Sequence, residues 1–130
     1  MKVDNDFFQE FQYTKQQLEK FLLNARNDLK IAEHDNNPSI IYRFAYDAVI
    51  KLGVYLLAKQ KLKVRSVMGH HFKILEFIAE ILELKDEIDY LNRVRRQRNQ
   101  DLYEGGIEFT KKEADSLLQV VQKIFTKVKS

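Results

Sequence analysis

NPSIIYRFAYDAVIKLGVYLLAK, residues 37–59, is apolar around most of a helical circumference. Ile40, Ile41, Phe44, Ala45, Ala48, Val49, Leu52, Tyr55 and Leu56 leave no broad polar face. A helix of this kind belongs at the centre of a fold, with other elements packed around it. Asn37 suits its N-cap and Pro38 its first turn, and His34, Asp35 and Asn36 complete a break with whatever precedes it. Lys59, Lys61, Lys63 and Arg65 follow, where basic charge complements a helix C-terminus. The stretch 59–65 reads as a solvated connection, or as an extension of a phosphate-contacting rim.

The flanking segments read as helices too. Thr14 with Gln17 forms a capping-box pattern ahead of Leu18, Phe21, Leu22, Ala25, Leu29 and Ala32. Phe7, Phe8 and Phe11 continue the helical spacing upstream, so this helix is expected to begin at Thr14 or as early as Asp4 or Asp6. A third helix is expected over 67–83, with Phe72, Leu75, Ile78, Ala79 and Leu82 on its buried face. A fourth spans 85–103 and is stopped by Gly105 and Gly106. Thr110 with Glu113 is a second capping box, followed by Ala114, Leu117, Val121, Ile124 and Val128 at alternating spacings of three and four. Short connections between such helices make neighbours antiparallel. The expected fold is all-α, an antiparallel up-and-down bundle of four to five helices.

Composition agrees. A chain of 130 residues fits a single domain, here 1–130, and can bury roughly two thirds of its unfolded surface without a staple. The absence of Cys removes disulfides, thiolate metal sites and thiol nucleophiles. Four Gly and one Pro are too few for a turn-rich β fold, and 45% hydrophobic residues are too many for a disordered chain. Residues 1–10 carry Asp4, Asp6 and Glu10 and no apolar run, which is unlike a signal peptide. No stretch is long and apolar enough to span a bilayer, so a cytoplasmic location with no membrane partner is expected. Charge is uneven: residues 1–36 sum to −2 and residues 59–98 to +4. A basic half is a weak pointer to nucleic acid.

The unusual stretch is Arg93-Val94-Arg95-Arg96-Gln97-Arg98-Asn99-Gln100-Asp101-Leu102-Tyr103. Four Arg in six positions can be a solvated face that complements the helix C-terminus. They can equally be a phosphate-contacting cluster, because a guanidinium presents a planar fork of donors to phosphate oxygens. Arg95, Arg98 and Asn99 are neighbours on one helical surface, and Leu102 completes their stripe.

These residues, on the penultimate helix of a small bundle, resemble the HEPN superfamily, whose signature is an Arg, often followed by a polar residue, with a His four to six residues later. Arg43-Phe44-Ala45-Tyr46-Asp47-Ala48 is similar to an aromatic–Asp–Ala stretch of several branches, and Gly69-His70-His71 to a Gly-x-His feature of some. The resemblance covers about residues 14–128. It implies a four- or five-helix bundle that pairs as a homodimer, with a basic cleft between facing motif helices. It also implies metal-independent ribonuclease or RNA-binding activity in toxin–antitoxin or phage-defence settings, in some cases beside a nucleotidyltransferase antitoxin. Arg98 matches the signature Arg and Asn99 its polar neighbour, while Tyr103 stands where His is expected.

That departure bears on the chemistry. Arg would stabilise charge on a phosphate and His would move protons near neutral pH. A tyrosine titrates near 10, donates a hydrogen bond and stacks on bases. Five residues along a helix also put Tyr103 about 140° round from Arg98. His70 or His71 is the available substitute for proton transfer; packing and solvent exposure are their other reading. They are adjacent and lack a spaced third ligand, so no metal centre and no cofactor is expected. Asp47, a carboxylate on an apolar helix, is expected to pair with Arg98 or Arg95 and orient it. The expected sites are therefore Arg98, Asn99 and Tyr103 for any catalysis, Arg93, Arg95 and Arg96 for RNA, and Asp47, His70 and His71 in support. The expected function is RNA binding, with weak endoribonuclease activity if the site is competent. The alternative is a non-catalytic module that partners a small nucleotidyltransferase.

Overall fold

The structure, a computed structural model, describes residues 4–103, 105 and 109–128, together with their side chains except those of residues 98 and 100–103. The chain runs β1 (Phe8–Glu10), α1 (Lys15–His34), α2 (Pro38–Lys59), β2 (Leu62–Val64), α3 (His70–Leu82), α4 (Lys85–Tyr103) and α5 (Lys111–Thr126). It is an all-α bundle with a very small sheet.

The helix starts follow from their caps. Thr14 Oγ1 accepts the Gln17 amide at 3.1 Å and Gln17 Oε1 accepts the Thr14 amide at 2.9 Å. Thr110 and Glu113 repeat that reciprocal pair ahead of α5. Asn37 Oδ1 accepts the Ser39 amide at 2.9 Å, with Pro38 in the first turn of α2. Each cap satisfies amides that a helix leaves without an internal acceptor.

Helix α2 is the centre. It packs against α1, α3, α5 and β2, and α3 packs in turn on α4. Only three residues connect α1 to α2, which forces those two to run antiparallel. The fully buried Val49, Leu52 and Leu57 of α2 belong to one apolar cluster with Ile74, Leu75 and Ile78 of α3 and Leu117, Val121 and Ile124 of α5. The expected stripe is buried throughout: Ala114, Leu117, Val121 and Ile124 in α5, and Val128 just beyond the helix end.

Three expectations change. Phe7, Phe8 and Phe11 are not helical. Residues 8–10 pair antiparallel with residues 62–64, in the register Phe8↔Val64, Gln9↔Lys63 and Glu10↔Leu62. The stretch 59–65 is therefore not a free solvated connection. Lys61 turns the chain at φ 60°, and Leu62 is buried. Phe8 is buried too, edge-on to Phe77 at 6.1 Å, so the pair is held by burial and by ladder bonds. In α3 the buried face is Ile74, Leu75, Phe77 and Ile78, while Phe72 is 38% exposed. The helix begins only at His70, after Gly69 at φ 83°, and its inner face is set by contact with α2. Finally, α1 buries a charge that the apolar pattern concealed. Asp28 is 8% exposed, and its carboxylate meets Lys51 Nζ of α2 at 2.7 Å. Gly105, at φ 101°, follows α4 as expected, while Gly106 lies outside the described residues.

Gly53 lies where α2 meets α3. A Cβ there would collide with Ile74 Cγ2 and crowd Ile78. In an open helix Gly→Ala stabilises by up to about 1 kcal/mol. Here overpacking opposes that gain, and Gly53→Ala is expected to destabilise by about 1–2 kcal/mol net. A urea titration measures it as a lower midpoint at unchanged slope.

Candidate functional site

The first turns of α2, the start of α3 and the later turns of α4 enclose a cleft of ≈ 570 Å³. Its wall includes Tyr42 and Tyr46 from α2, the loop 66–69, His70, His71 and Phe72 from α3, and Arg95 and Asn99 from α4. The helical period explains the α2 and α4 contributions. Tyr42 and Tyr46 are four residues apart, as are Arg95 and Asn99, so each pair shares one face. Gly69 explains the third. Its left-handed backbone turns the chain from the loop into α3 and delivers two imidazoles to the same wall.

The aromatic side chains are in contact along this wall. Tyr42 stacks on Phe109 at 4.1 Å and lies nearly parallel to Tyr46 at 6.1 Å. Tyr46 meets His71 at 6.1 Å, and His71 meets His70 edge-on at 4.5 Å. His70 Nδ1 lies 2.8 Å from the Val67 carbonyl. A carbonyl only accepts, so Nδ1 carries the proton and Nε2 remains the basic nitrogen of neutral His70.

Three polar atoms are buried here or one turn away without a hydrogen-bond partner among the described residues: Tyr46 Oη, Arg95 Nε and Asn92 Oδ1. Tyr46 is only 8% exposed and Asn92 7%. Burial pushes the Tyr46 hydroxyl above the ordinary phenol range; Tyr42 and Asp47 add to the shift and Arg95 opposes it. The hydroxyl is therefore a neutral donor throughout the physiological range. Burial also lowers the pKa of His71, as do the neighbouring His70 and Arg95, while Asp47 acts the other way. The shift favours the neutral imidazole of His71.

The sequence-predicted residues divide. Arg95, Asn99, His70 and His71 come together in the cleft. Arg93 and Arg96 are exposed and do not line it, and the Arg93 guanidinium lies 5.9 Å from the Tyr90 ring instead. Asp47 makes no ion pair with Arg95. One position round the helix from Tyr46, it lines a neighbouring depression with Ser39 and Arg43. The side chains of Arg98 and Tyr103, and with them an Asp47–Arg98 contact, lie outside the described residues; both positions fall within α4. Among the described residues no cluster of His, Asp or Glu could hold a metal ion, and no helix is long and apolar enough to cross a membrane. Sequence reasoning did not name Tyr42 and Tyr46 as site residues. Their shared face was visible, but the side across which it would meet Arg95 was not.

The described residues thus form an all-α bundle with an aromatic-lined cleft between α2, α3 and α4. The family model for the HEPN domain matches residues 12–130, and the chain belongs to that family. Domains of this family commonly dimerise and are associated with RNA-related nuclease and toxin–antitoxin systems. No curated protein and no solved structure matches the chain significantly.

The lowered His71 pKa has a consequence for stability. The unfolded chain takes up its proton near pH 6.5, whereas the folded chain resists until lower pH. This contribution is complete above pH 6.5 and is lost as pH falls through that value toward the folded pKa. The melting temperature is expected to drop from pH 7 to pH 5, and to drop less in His71→Gln. Equal slopes in the two proteins would contradict the assignment.

Proposed function

We propose that this chain binds RNA in the cleft between α3 and α4, as a homodimeric HEPN domain of a toxin–antitoxin or phage-defence system. The observation that carries the reading is the convergence of Arg95 and Asn99 of α4 with two imidazoles and two tyrosine rings around one opening. Arginine supplies a charged fork for phosphate, and aromatic rings supply surfaces for unstacked bases. Arg98, three residues from Arg95 on the same helix, extends the basic strip. Arg93 and Arg96 then act as outlying charges that raise affinity without selectivity. Residues 1–130 serve as one domain in this reading.

Catalysis, where it occurs, is metal-independent. Arg98 stabilises the phosphate, Asn99 positions it, and Tyr103 or a histidine of the cleft transfers protons. The substitution of Tyr103 for the signature His favours a second reading, in which the chain is a non-catalytic partner of a small nucleotidyltransferase.

Titration of a labelled single-stranded RNA at several salt concentrations tests the first reading. Arg95→Ala is expected to lose about tenfold in affinity and to flatten the salt dependence by about 0.7 in slope, the value for one phosphate contact on a single strand. Arg93→Ala is expected to change affinity by less than Arg95→Ala. Wild-type affinity in Arg95→Ala would sink the cleft as the RNA site. RNA incubated with EDTA tests the chemistry: cleavage that Arg98→Ala abolishes establishes a nuclease, and no cleavage by the wild type leaves binding alone. If the wild type neither binds nor cleaves RNA, the partner-binding reading takes its place.

A further inference from the structure

The inner end of the cleft holds a set of donors with no acceptor. Arg95 Nε and Tyr46 Oη are both buried, both unpartnered, and both on residues that line the cleft. A guanidinium nitrogen can only donate, and the Tyr46 hydroxyl stays protonated, so it can donate as well. Burying such groups without partners costs free energy that an oxyanion would recover once a small side-chain shift opens them to the cleft.

The start of α3 adds to the set independently. Its N-cap is Gly69, which has no side chain to offer, and no side-chain cap is formed. The His70 amide reaches Val67 O and the Lys73 amide Gly69 O, while the amides of His71 and Phe72 between them have no acceptor among the described residues. Those first-turn residues line the same cleft. An uncapped helix N-terminus carries partial positive charge and suits an anion.

We propose that this inner end is a site for one phosphoryl group, with Tyr46 Oη and Arg95 Nε as its fixed donors, the first turn of α3 as its dipole, and His71 as a further donor when protonated. The inference rests on the RNA reading for its natural ligand, a phosphodiester, but a free nucleotide or inorganic phosphate offers the same oxygens. His71 is the variable member. The groups facing it are His70 on its own helix, Tyr46 and Asp47 from α2, and Arg95 from α4. Asp47 opposes an anion; it lines the neighbouring depression, which shares Tyr42 and Tyr46 with the cleft, so its charge weakens the site without lining it. Neutral His71 leaves the fixed donors alone. Protonated His71 adds a charge beside them, so the site tightens as pH falls below neutrality.

The probe for pH dependence is a short oligouridylate, because neither its phosphodiesters nor its bases titrate between about pH 5.5 and 7.5. Inorganic phosphate and uridine monophosphate are titrated at fixed pH as separate arms. Wild type is expected to bind oligouridylate several-fold more tightly at the lower pH. His71→Gln is expected to lose that dependence. Tyr46→Phe keeps the ring and removes only the unpartnered hydroxyl. It is expected to bind about tenfold more weakly while its melting temperature holds or rises, a combination that a purely structural hydroxyl would not give.

If Arg95→Ala loses oligouridylate binding while Tyr46→Phe and His71→Gln match wild type in affinity and pH dependence, the cleft binds RNA and the phosphoryl site is overturned. If oligouridylate does not bind, but phosphate or the mononucleotide does and Tyr46→Phe weakens it, the site stands and the RNA reading falls. If none of the three binds, both fall.

Discussion

Helix α2 buries twelve of its 22 residues, and no single neighbour can cover them. That requirement organises the molecule. α1 returns along it after a three-residue break, α5 closes another side, and α3 fits against Gly53, where the missing side chain lets two helices approach. α4 is one step removed and packs mainly on α3. The polar strip on α4 is thus free to serve a surface and does not have to build the core. Its mean hydropathy is low, yet Leu91 and Ile88 anchor it firmly inside.

The cleft follows from the same constraint. Tyr42 and Tyr46 lie on α2, so their rings are packed by the core while their edges reach the surface at one end of the helix. Tyr46 is nearly buried, and its hydroxyl found no partner in the apolar packing around it. Arg95 is in the same position from the α4 side. Natural folds seldom leave such groups unsatisfied without a reason. The unpaired atoms of Tyr46 and Arg95 come from α2 and α4 residues that line one cleft with the start of α3, and the family is associated with RNA.

Much of the architecture was legible along the chain because it is written in local signals. Two capping boxes, the Asn37–Pro38 start and the alternating three–four stripe of α5 each depend on residues within a turn or two of one another. What escaped depends on distant partners. The β1–β2 pair joins segments more than fifty residues apart without a hairpin turn between them, and three Phe at helical spacing suggested continuity instead. Asp28 looked like an ordinary polar position until Lys51 arrived from another helix. Arg95, Asn99 and the two histidines could be named from composition and resemblance. Their convergence, the separation of Arg93 and Arg96 from them, and the turn of Asp47 into a different depression required the packing of α2, α3 and α4.

The small sheet has one more consequence, for the order in which the molecule assembles. Contacts between α1 and α2 are close in sequence and cheap in chain entropy, so that hairpin can form early. The β1–β2 ladder closes a long loop and must wait. Beyond the ladder, Arg65 is tied to the same N-terminal segment, its amide bonding Phe7 O and its Nε bonding Asn5 O. The next residues, Ser66, Val67 and Met68, form a wall of the cleft, and Met68 is 97% exposed. That wall hangs on the last-formed and thinnest piece of secondary structure. A segment held by so few bonds costs less free energy to open than the core, so the geometry of that wall is less tightly fixed than that of the helices around α2.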